Sequence, residues 1–299
     1  MGFFDLSGSA GRMFGSLGVS IDTPCTQIEI SKSESRLIEV KSSKNVVKIV
    51  ENLVRSFNVE ENFSLKIVQV IPEHAGLGSG TQMALAIGSG LNQLFDLNLS
   101  VAQIAVSAQR GRRSGIGIAA FQHGGILVDA GRNETAELPE IIARECFPSA
   151  WRVLLVQDSA HMGVHGVAEW DAFAKLKPAQ HNLRGLVLQH MLPALQRGDL
   201  LTFGAYMQDL QAYNGDYFAP IQGGRYASKD VADVLAWLQA NGAVCVGQSS
   251  WGPTGFAILE YASMASQLKT VVQQAFVAQS NLSFSLCCGN NRGAQIERK

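Results

Sequence analysis

Between Val70 and Gly90 the chain reads VIPEHAGLGSGTQMALAIGSG, and this stretch restricts the fold more than any other. A strand-like run, with Phe63, Leu65 and Ile67 alternating and Val68 and Val70 following, stops at Pro72. Met83, Leu85, Ala86, Ile87 and Gly90 then suit a helix packed closely along one face. Between them, Gly76, Gly78 and Gly80 permit backbone angles that other residues avoid and let a ligand approach the main chain. The open N–H groups at the start of that helix make an anion site, strengthened by the helix dipole. The loop is not the dinucleotide fingerprint, because G-x-G-x-x-G is absent, and no Gly-Lys-Ser/Thr follows as in a Walker loop. The competing reading is a tight strand-to-helix turn whose glycines serve packing alone.

A chain of 299 residues, 46% hydrophobic and 16% charged, has enough apolar material for a sizeable core and is expected to form two domains, 1–150 and 151–299. A formal net charge of −1 and a pI near 6.6 leave no broad basic field, which argues against nucleic acid or a membrane as partner and favours a small molecule. Five cysteines (Cys25, Cys146, Cys245, Cys287 and Cys288) are odd in number and lack C-x-x-C spacing, and no charged, apolar leader opens the sequence. Leu6 stands where an N-myristoylation signal needs Ser or Thr, and no apolar run approaches membrane-spanning length. A soluble, cytoplasmic protein is expected.

Met1, Phe3, Phe4 and Leu6 read as the end of a strand whose beginning lies outside the sequence. Short alternating segments at 14–21, 26–30 and 36–40 read as strands of a meander. Ser43 is placed to cap a helix over 44–57, where Val46, Val47, Ile49, Val50, Leu53 and Val54 recur at helical spacing. Ser100 and Gln103 form a capping-box pattern before a helix reaching about Arg110. Arg110, Arg112 and Arg113 then cluster around a glycine, which suits bidentate recognition of phosphate or carboxylate; a solvated helix end is the alternative. Gly124 and Gly125 lead into a strand at 126–130, and 139–148 reads as connecting sequence.

A fresh strand is expected at 151–157. His161, His165 and Glu169 recur at four-residue spacing, yet Gly163 and Gly166 weaken a helix there, so a surface reading is preferred over a metal site. Aliphatic stripes predict helices over 182–196 and 199–212, followed by an aperiodic segment, 213–230. That segment collects Asp216, Tyr217, Gln222, Gly223, Gly224, Arg225 and Tyr226, a composition suited to a flat anionic ligand or to a plain loop. A helix over 228–241 ends at Gly242, a strand over 243–247 enters the loop QSSWGPTGFAILE, and a helix over 262–279 and a strand over 282–287 follow. Residues 289–299 are expected to form a polar, mobile tail.

The order strand, P-E-H-A-G-L-G-S-G, helix, then Ser114-Gly115 through Gly124-Gly125, then a late glycine loop at 247–255, resembles the GHMP kinase superfamily. The resemblance implies an α+β, two-domain fold: an N-terminal domain like ribosomal protein S5 domain 2, a ferredoxin-like C-terminal domain, and a ligand between them. GRRSGIGIAAFQHGG, GDYFAPIQGGRYAS and GQSSWGPTGFAIL bring the likeness nearest to the β-ribofuranosylaminobenzene 5′-phosphate synthases and extend it over nearly the whole chain. These are decarboxylating pentosyltransferases of tetrahydromethanopterin biosynthesis. They join 4-aminobenzoate or 4-hydroxybenzoate to phosphoribosyl pyrophosphate, with loss of CO2 and pyrophosphate. A homodimer, Mg2+ and a setting in one-carbon metabolism are implied on the same basis.

The resemblance implies that Gly76, Leu77, Gly78, Ser79, Gly80 and Thr81 hold the pyrophosphate, with Mg2+ and an arginine such as Arg113 offsetting its charge. Arg225 with Tyr217 or Tyr226 would position the arene, and Asp216 would polarise its 4-substituent or hold Mg2+. Arg110, Arg112, Gln222, Gly223, Gly224, Ser249, Ser250 and Trp251 complete the candidate substrate contacts. Kinases of the superfamily often carry Asp three residues after the Ser of S-G-x-D, where this chain has Gly117. Ser79-Gly80-Thr81 likewise replaces the usual Ser-Ser-Ala, so no ATP requirement is expected. An ATP-dependent small-molecule kinase and a non-catalytic phosphate-binding relative are the alternatives.

Overall fold

A computed structural model describes every residue except 10, 40–43, 134, 165 and 299. The expected Ser43 cap and the position of His165 therefore lie outside the described residues. The first half runs β1 (Gly2–Asp5), β2 (Gly15–Val19), β3 (Gln27–Lys32), β4 (Leu37–Glu39), α1 (Lys44–Phe57) and β5 (Phe63–Gln69). It continues through α2 (Ser79–Leu94), α3 (Val101–Ser107), α4 (Ile116–His123), β6 (Ile126–Asp129) and β7 (Ile141–Glu145). The second half comprises β8 (Arg152–Asp158), α5 (Gly166–Lys175), a π-helical stretch (Leu186–Met191), α6 (Leu192–Gln196) and α7 (Leu200–Gln222). It ends with α8 (Lys229–Ala240), β9 (Cys245–Gln248), β10 (Gly255–Leu259), α9 (Ala262–Ala275) and β11 (Leu282–Cys287).

Local signals govern several of these boundaries. The Ser100 hydroxyl accepts from the Gln103 amide at 3.2 Å while the Gln103 side chain accepts from the Ser100 amide at 2.8 Å, which completes the capping box of α3. Ser228 caps α8 by accepting from the Val231 amide at 3.1 Å.

Pairing between strands departs from the meander expected near the start. The first sheet has the order β1-β2-β6-β7, and β3 and β4 instead flank β5 in a three-stranded sheet. Four of the five β2 residues are buried, so that strand needs a partner on each edge, and alternation within a strand cannot say which partner will come. The third sheet has the order β11-β8-β10-β9, its neighbours all antiparallel. Numbered within that sheet the order is 4-1-3-2, the ferredoxin-like frame, with α5 to α8 enlarging the first crossover.

Three further differences have physical causes. The stretch read as connecting sequence carries β7, whose flanking Pro139 and Pro148 bracket the strand without interrupting its ladder. The helix expected over 182–196 is divided, because Pro193 has no N–H to continue the ladder, and a π-helical stretch precedes it. The segment read as aperiodic from Tyr213 belongs to α7 as far as Gln222, and Gly223 ends the helix in a left-handed conformation. Tyr213, Tyr217, Phe218 and Ile221 recur at helical spacing there and pack against Phe3, Phe173 and Trp251.

Within the stretch expected to be a mobile tail, residues 290–294 are strapped down. Asn290 N donates to Ser20 O at 2.8 Å, its carbonyl accepts from Gly125 N at 2.7 Å, and Ala294 N donates to Phe121 O at 2.7 Å. The Asn291 side chain accepts from Phe147 N at 2.8 Å and donates to Phe147 O at 3.0 Å. These bonds satisfy backbone groups that two adjoining elements would otherwise leave open.

One core joins the halves: Leu17, Ile126 and Val128 of the first sheet pack with Val153, Leu155, Phe256 and Ile258 of the third and with Phe203, Met207 and Leu210 of α7. No helix among the described residues is long and apolar enough to cross a membrane.

Candidate active site

The glycine loop forms as the sequence suggests, and a second loop braces it. Gly76 and Gly78 take φ of 75° and 72°, so the chain turns sharply into α2, with Gly78 at the cap and no side chain capping it. Thr81 N and Gln82 N bond Gly78 O at 3.0 and 3.1 Å, whereas the Ser79 and Gly80 amides have no acceptor among the described residues. No acidic residue occupies the first turn. The loop at 249–252 closes on itself through Gly252 N to Ser249 O at 2.9 Å, and Ser249 Oγ donates to Gly76 O at 2.7 Å. A Cβ added at Gly76 would overlap the Ser249 carbonyl oxygen. The two loops thus meet backbone to backbone.

Arg110 supplies charge at this point. Its guanidinium nitrogens lie 3.4 and 3.5 Å from where a Gly80 Cβ would be. The Arg110 side chain has no hydrogen-bond or ion-pair partner among the described residues, and its Nε is buried without one. Burial first, and then the neighbouring charge of Arg112, lower its pKa. An unpaired cation at the positive end of a helix makes an anion-binding position.

Beside the loops is a cavity of about 370 Å³. Ile71, Leu77, Ile116, Val153, Phe256 and Ile258 give it apolar walls, while Ser16, Ser114, Gln82, Ser249, Ser250 and Asn290 contribute polar ones. Of the candidate residues, Gly76, Leu77, Gly78, Ser249 and Ser250 therefore share one cavity. Ser250 is held at φ 54°, a left-handed conformation uncommon for a residue with a side chain.

The other candidates are placed differently. Arg113 pairs with Glu169 at 2.5 Å and lies 4.6 Å over the Phe173 ring, and Arg112 donates to Gln109 Oε1 at 2.7 Å. Asp216 and Arg225 form a two-point ion pair, both bonds 2.9 Å, with half or more of each side chain exposed. Arg225 and Gln222 border a small cleft with Ser250, and Gln222 Nε2 bonds Gly224 O at 3.0 Å. Tyr217 packs edge-on to Phe218 at 5.2 Å, Tyr226 packs against the apolar core beneath the third sheet, and burial raises both phenol pKa values. Trp251, 3% exposed, is a core residue whose ring lies 4.1 Å from that of Phe218. The His161 ring bonds Asp158 at 2.8 Å while Glu169 pairs with Arg113, so the spaced His161 and Glu169 serve different partners. Among the described residues no three His, Cys, Asp or Glu side chains are grouped to hold a metal ion.

Gly117 and Thr81 are fitted to each other. A Cβ at Gly117 would come 3.1 Å from Thr81 Cγ2, and Gln82 Nε2 donates to Gly117 O at 2.7 Å. The two departures from the kinase pattern are therefore one packing arrangement, in which the threonine methyl group abuts the position where an acid would begin. Gly117→Asp is expected to lower stability by about 1–3 kcal/mol, and a second change, Thr81→Ala, to restore most of it. Urea unfolding measures both; a single variant as stable as the parent would contradict the fit.

Sequence reasoning passed over Ser16 and Asp129 and met Ser114 only as the first residue of the Ser114–Gly125 motif. Ser16 Oγ lies 2.7 Å from Ser114 Oγ, and both reach Asp129 Oδ2, at 2.7 and 3.0 Å. The available signal was an acid closing the apolar run ILVD, since carboxylates are seldom buried without partners.

Residues 44–125 match the family description GHMP kinases N terminal domain, and residues 191–278 match GHMP kinases C terminal. A β-ribofuranosylphenol 5′-phosphate synthase of Archaeoglobus fulgidus is 31% identical, over 98% of this chain and 95% of that protein. The protein of the same name from Methanocaldococcus jannaschii is 32% identical over 86% of each. A homoserine kinase structure from Cytophaga hutchinsonii shares the fold, with a TM-score of 0.68 at 17% identity, over 97% of this chain and 93% of that one.

Proposed function

Because the chain belongs to the β-ribofuranosylphenol 5′-phosphate synthase family, built on the GHMP kinase fold, we propose that it joins a 4-substituted benzoate to phosphoribosyl pyrophosphate with loss of CO2 and pyrophosphate. The relatives are named for a phenol, which favours 4-hydroxybenzoate over 4-aminobenzoate as the arene.

One observation carries the reading: an Arg110 guanidinium without a partner among the described residues lies beside Gly80 at the start of α2, where the Ser79 and Gly80 amides have no acceptor among those residues either. A leaving pyrophosphate gains negative charge as the C1–oxygen bond breaks, and preorganised donors at that point stabilise the transition state more than the ground state. The apolar cavity suits an aromatic ring and limits water that would otherwise capture the sugar cation. Arg225, paired with Asp216, borders the adjoining cleft, where it is available to exchange its carboxylate partner for that of the arene.

Among the described residues no side chains are grouped into a magnesium cage. Asp22 is the one acidic side chain among the described residues of the cavity lining, and it already accepts from the Cys288 amide at 2.9 Å. Mg2+ enters the proposal only as the counter-ion of the sugar pyrophosphate, consistent with its preference for phosphate oxygens and water. A cytoplasmic homodimer that needs no ATP is part of the same proposal, as the resemblance carried by the sequence motifs implies.

Carboxyl-labelled 4-hydroxybenzoate incubated with phosphoribosyl pyrophosphate is expected to release labelled CO2 and pyrophosphate without ATP. No release from folded protein, or ADP formation from ATP and a small alcohol, would overturn the proposal.

A further inference from the structure

Ser16 on β2, Ser114 ahead of α4 and Asp129 at the end of β6 form a ring of three oxygens with contacts of 2.7, 2.7 and 3.0 Å. Asp129 is 0% exposed, and its remaining acceptor positions take the amides of Gly115 and Gly131, each at 2.8 Å. No Lys, Arg or His pairs with it among the described residues.

An ionised carboxylate accepts only, and each serine has one proton to give. Two protons therefore serve three short oxygen contacts, and one edge of the ring lacks a hydrogen. Ser114 Oγ also accepts from the Ile116 amide at 3.2 Å, whereas Ser16 Oγ accepts from no backbone amide. Both serines line the cavity, and Asp129 stands behind them. Burial pushes the Asp129 pKa upward against the hydrogen bonds from Ser16, Gly131, Gly115 and Ser114.

We propose that this ring recognises the 4-hydroxyl group of the aromatic substrate, with Ser16 and Ser114 accepting its hydrogen bond and Asp129 acting through them as a positioning residue. The inference rests on the pentosyltransferase reading above and adds to it the group that selects and orients the arene. A phenol O–H supplies the hydrogen that the ring lacks, and the para relationship sends the carboxylate-bearing carbon to the far side of the substrate from the serines.

The arrangement also serves the chemistry. Drawing the phenolic hydrogen toward an anionic cluster raises electron density at the para carbon. A ring π pair forms the bond to C1 as the C1–oxygen bond breaks and its pair leaves with pyrophosphate. The pair of the ring–carboxylate bond then returns to the ring as CO2 departs. The phenolic hydrogen is shared and not removed, so no net proton is consumed or released at this site.

Binding separates recognition from reactivity. Calorimetry with 4-hydroxybenzoate and 4-fluorobenzoate compares ligands of similar size, of which only the first has a hydrogen to give. The wild-type protein is expected to prefer the hydroxyl compound by about ten-fold or more. Ser16→Ala and Ser114→Ala should each cut that preference to about three-fold or less with 4-fluorobenzoate affinity unchanged, and Ser114→Thr, which keeps the hydroxyl, should retain it. An undiminished preference in both alanine variants, or equal weakening of both ligands, would overturn the inference and leave the ring a structural feature. Asp129→Asn is the less informative variant, because its amide nitrogen would face backbone N–H groups and destabilise the fold. Wild-type protein that releases no CO2 would instead overturn the pentosyltransferase reading, whatever the serine variants bind.

Discussion

Gly76→Ala is expected to lower kcat/KM by about a hundred-fold or more and to reduce the melting temperature by several degrees. A non-glycine residue at positive φ costs roughly 1–2 kcal/mol. The added methyl group would also overlap the Ser249 carbonyl, which is backbone and cannot rotate aside. One of the two loops must therefore move, and a displacement near 1 Å in a positioning element can cost about a hundred-fold in rate. Ser249→Ala makes a useful comparison, since it removes only the 2.7 Å bond to Gly76 O and should cost about 1 kcal/mol. Initial rates with phosphoribosyl pyrophosphate and thermal melting test both; an alanine variant at position 76 with normal rate and melting temperature would refute the bracing of the two loops.

Changing Arg110 to methionine should act in opposite directions on stability and on binding. Without ligand, the guanidinium is partly buried, unpaired, close to Arg112 and at the positive end of α2, and each of these works against the folded state. Methionine keeps much of the stem and removes the charge, so the ligand-free melting temperature should rise by a few degrees. Affinity for inorganic pyrophosphate should fall by about a hundred-fold, the value of one or two charged hydrogen bonds. Excess pyrophosphate at a hundred times its Kd should stabilise the wild type by about 2.7 kcal/mol, a gain the variant should lose. A variant that is less stable without ligand and still stabilised by pyrophosphate would show that Arg110 serves the fold and not the anion.

Much of this was legible in the sequence because it is encoded locally. The glycine loop and the Ser100–Gln103 capping box each depend on residues within a few positions of one another. Strand partners were not legible, since Ser16 meets Asp129 only after the chain has returned through several elements. The same limit hid the Ser16–Ser114–Asp129 ring, whose members come from three separate segments.

Core and site draw on the same residue types. Trp251 and Tyr217 suit an aromatic ligand, yet with Phe218 and Phe173 they form part of an apolar cluster that anchors α7. Asp216 and Arg225 lie nine positions apart, and it is the turn after Gln222 that brings them together.

The strap at 289–294 gives the order of synthesis a bearing on function. Asn290, Gly293 and Ala294 form part of the cavity wall, although most of that wall comes from segments made far earlier, such as β2 and the glycine loop. During translation the N-terminal half can collapse long before these residues leave the ribosome, and closing so long a loop carries an entropic cost that only late contacts repay. A nascent or prematurely terminated chain that stops short of residue 289 therefore has an open-sided cavity. The cavity wall is complete only when residues 290–294 lie across Ser20, Phe121 and Gly125.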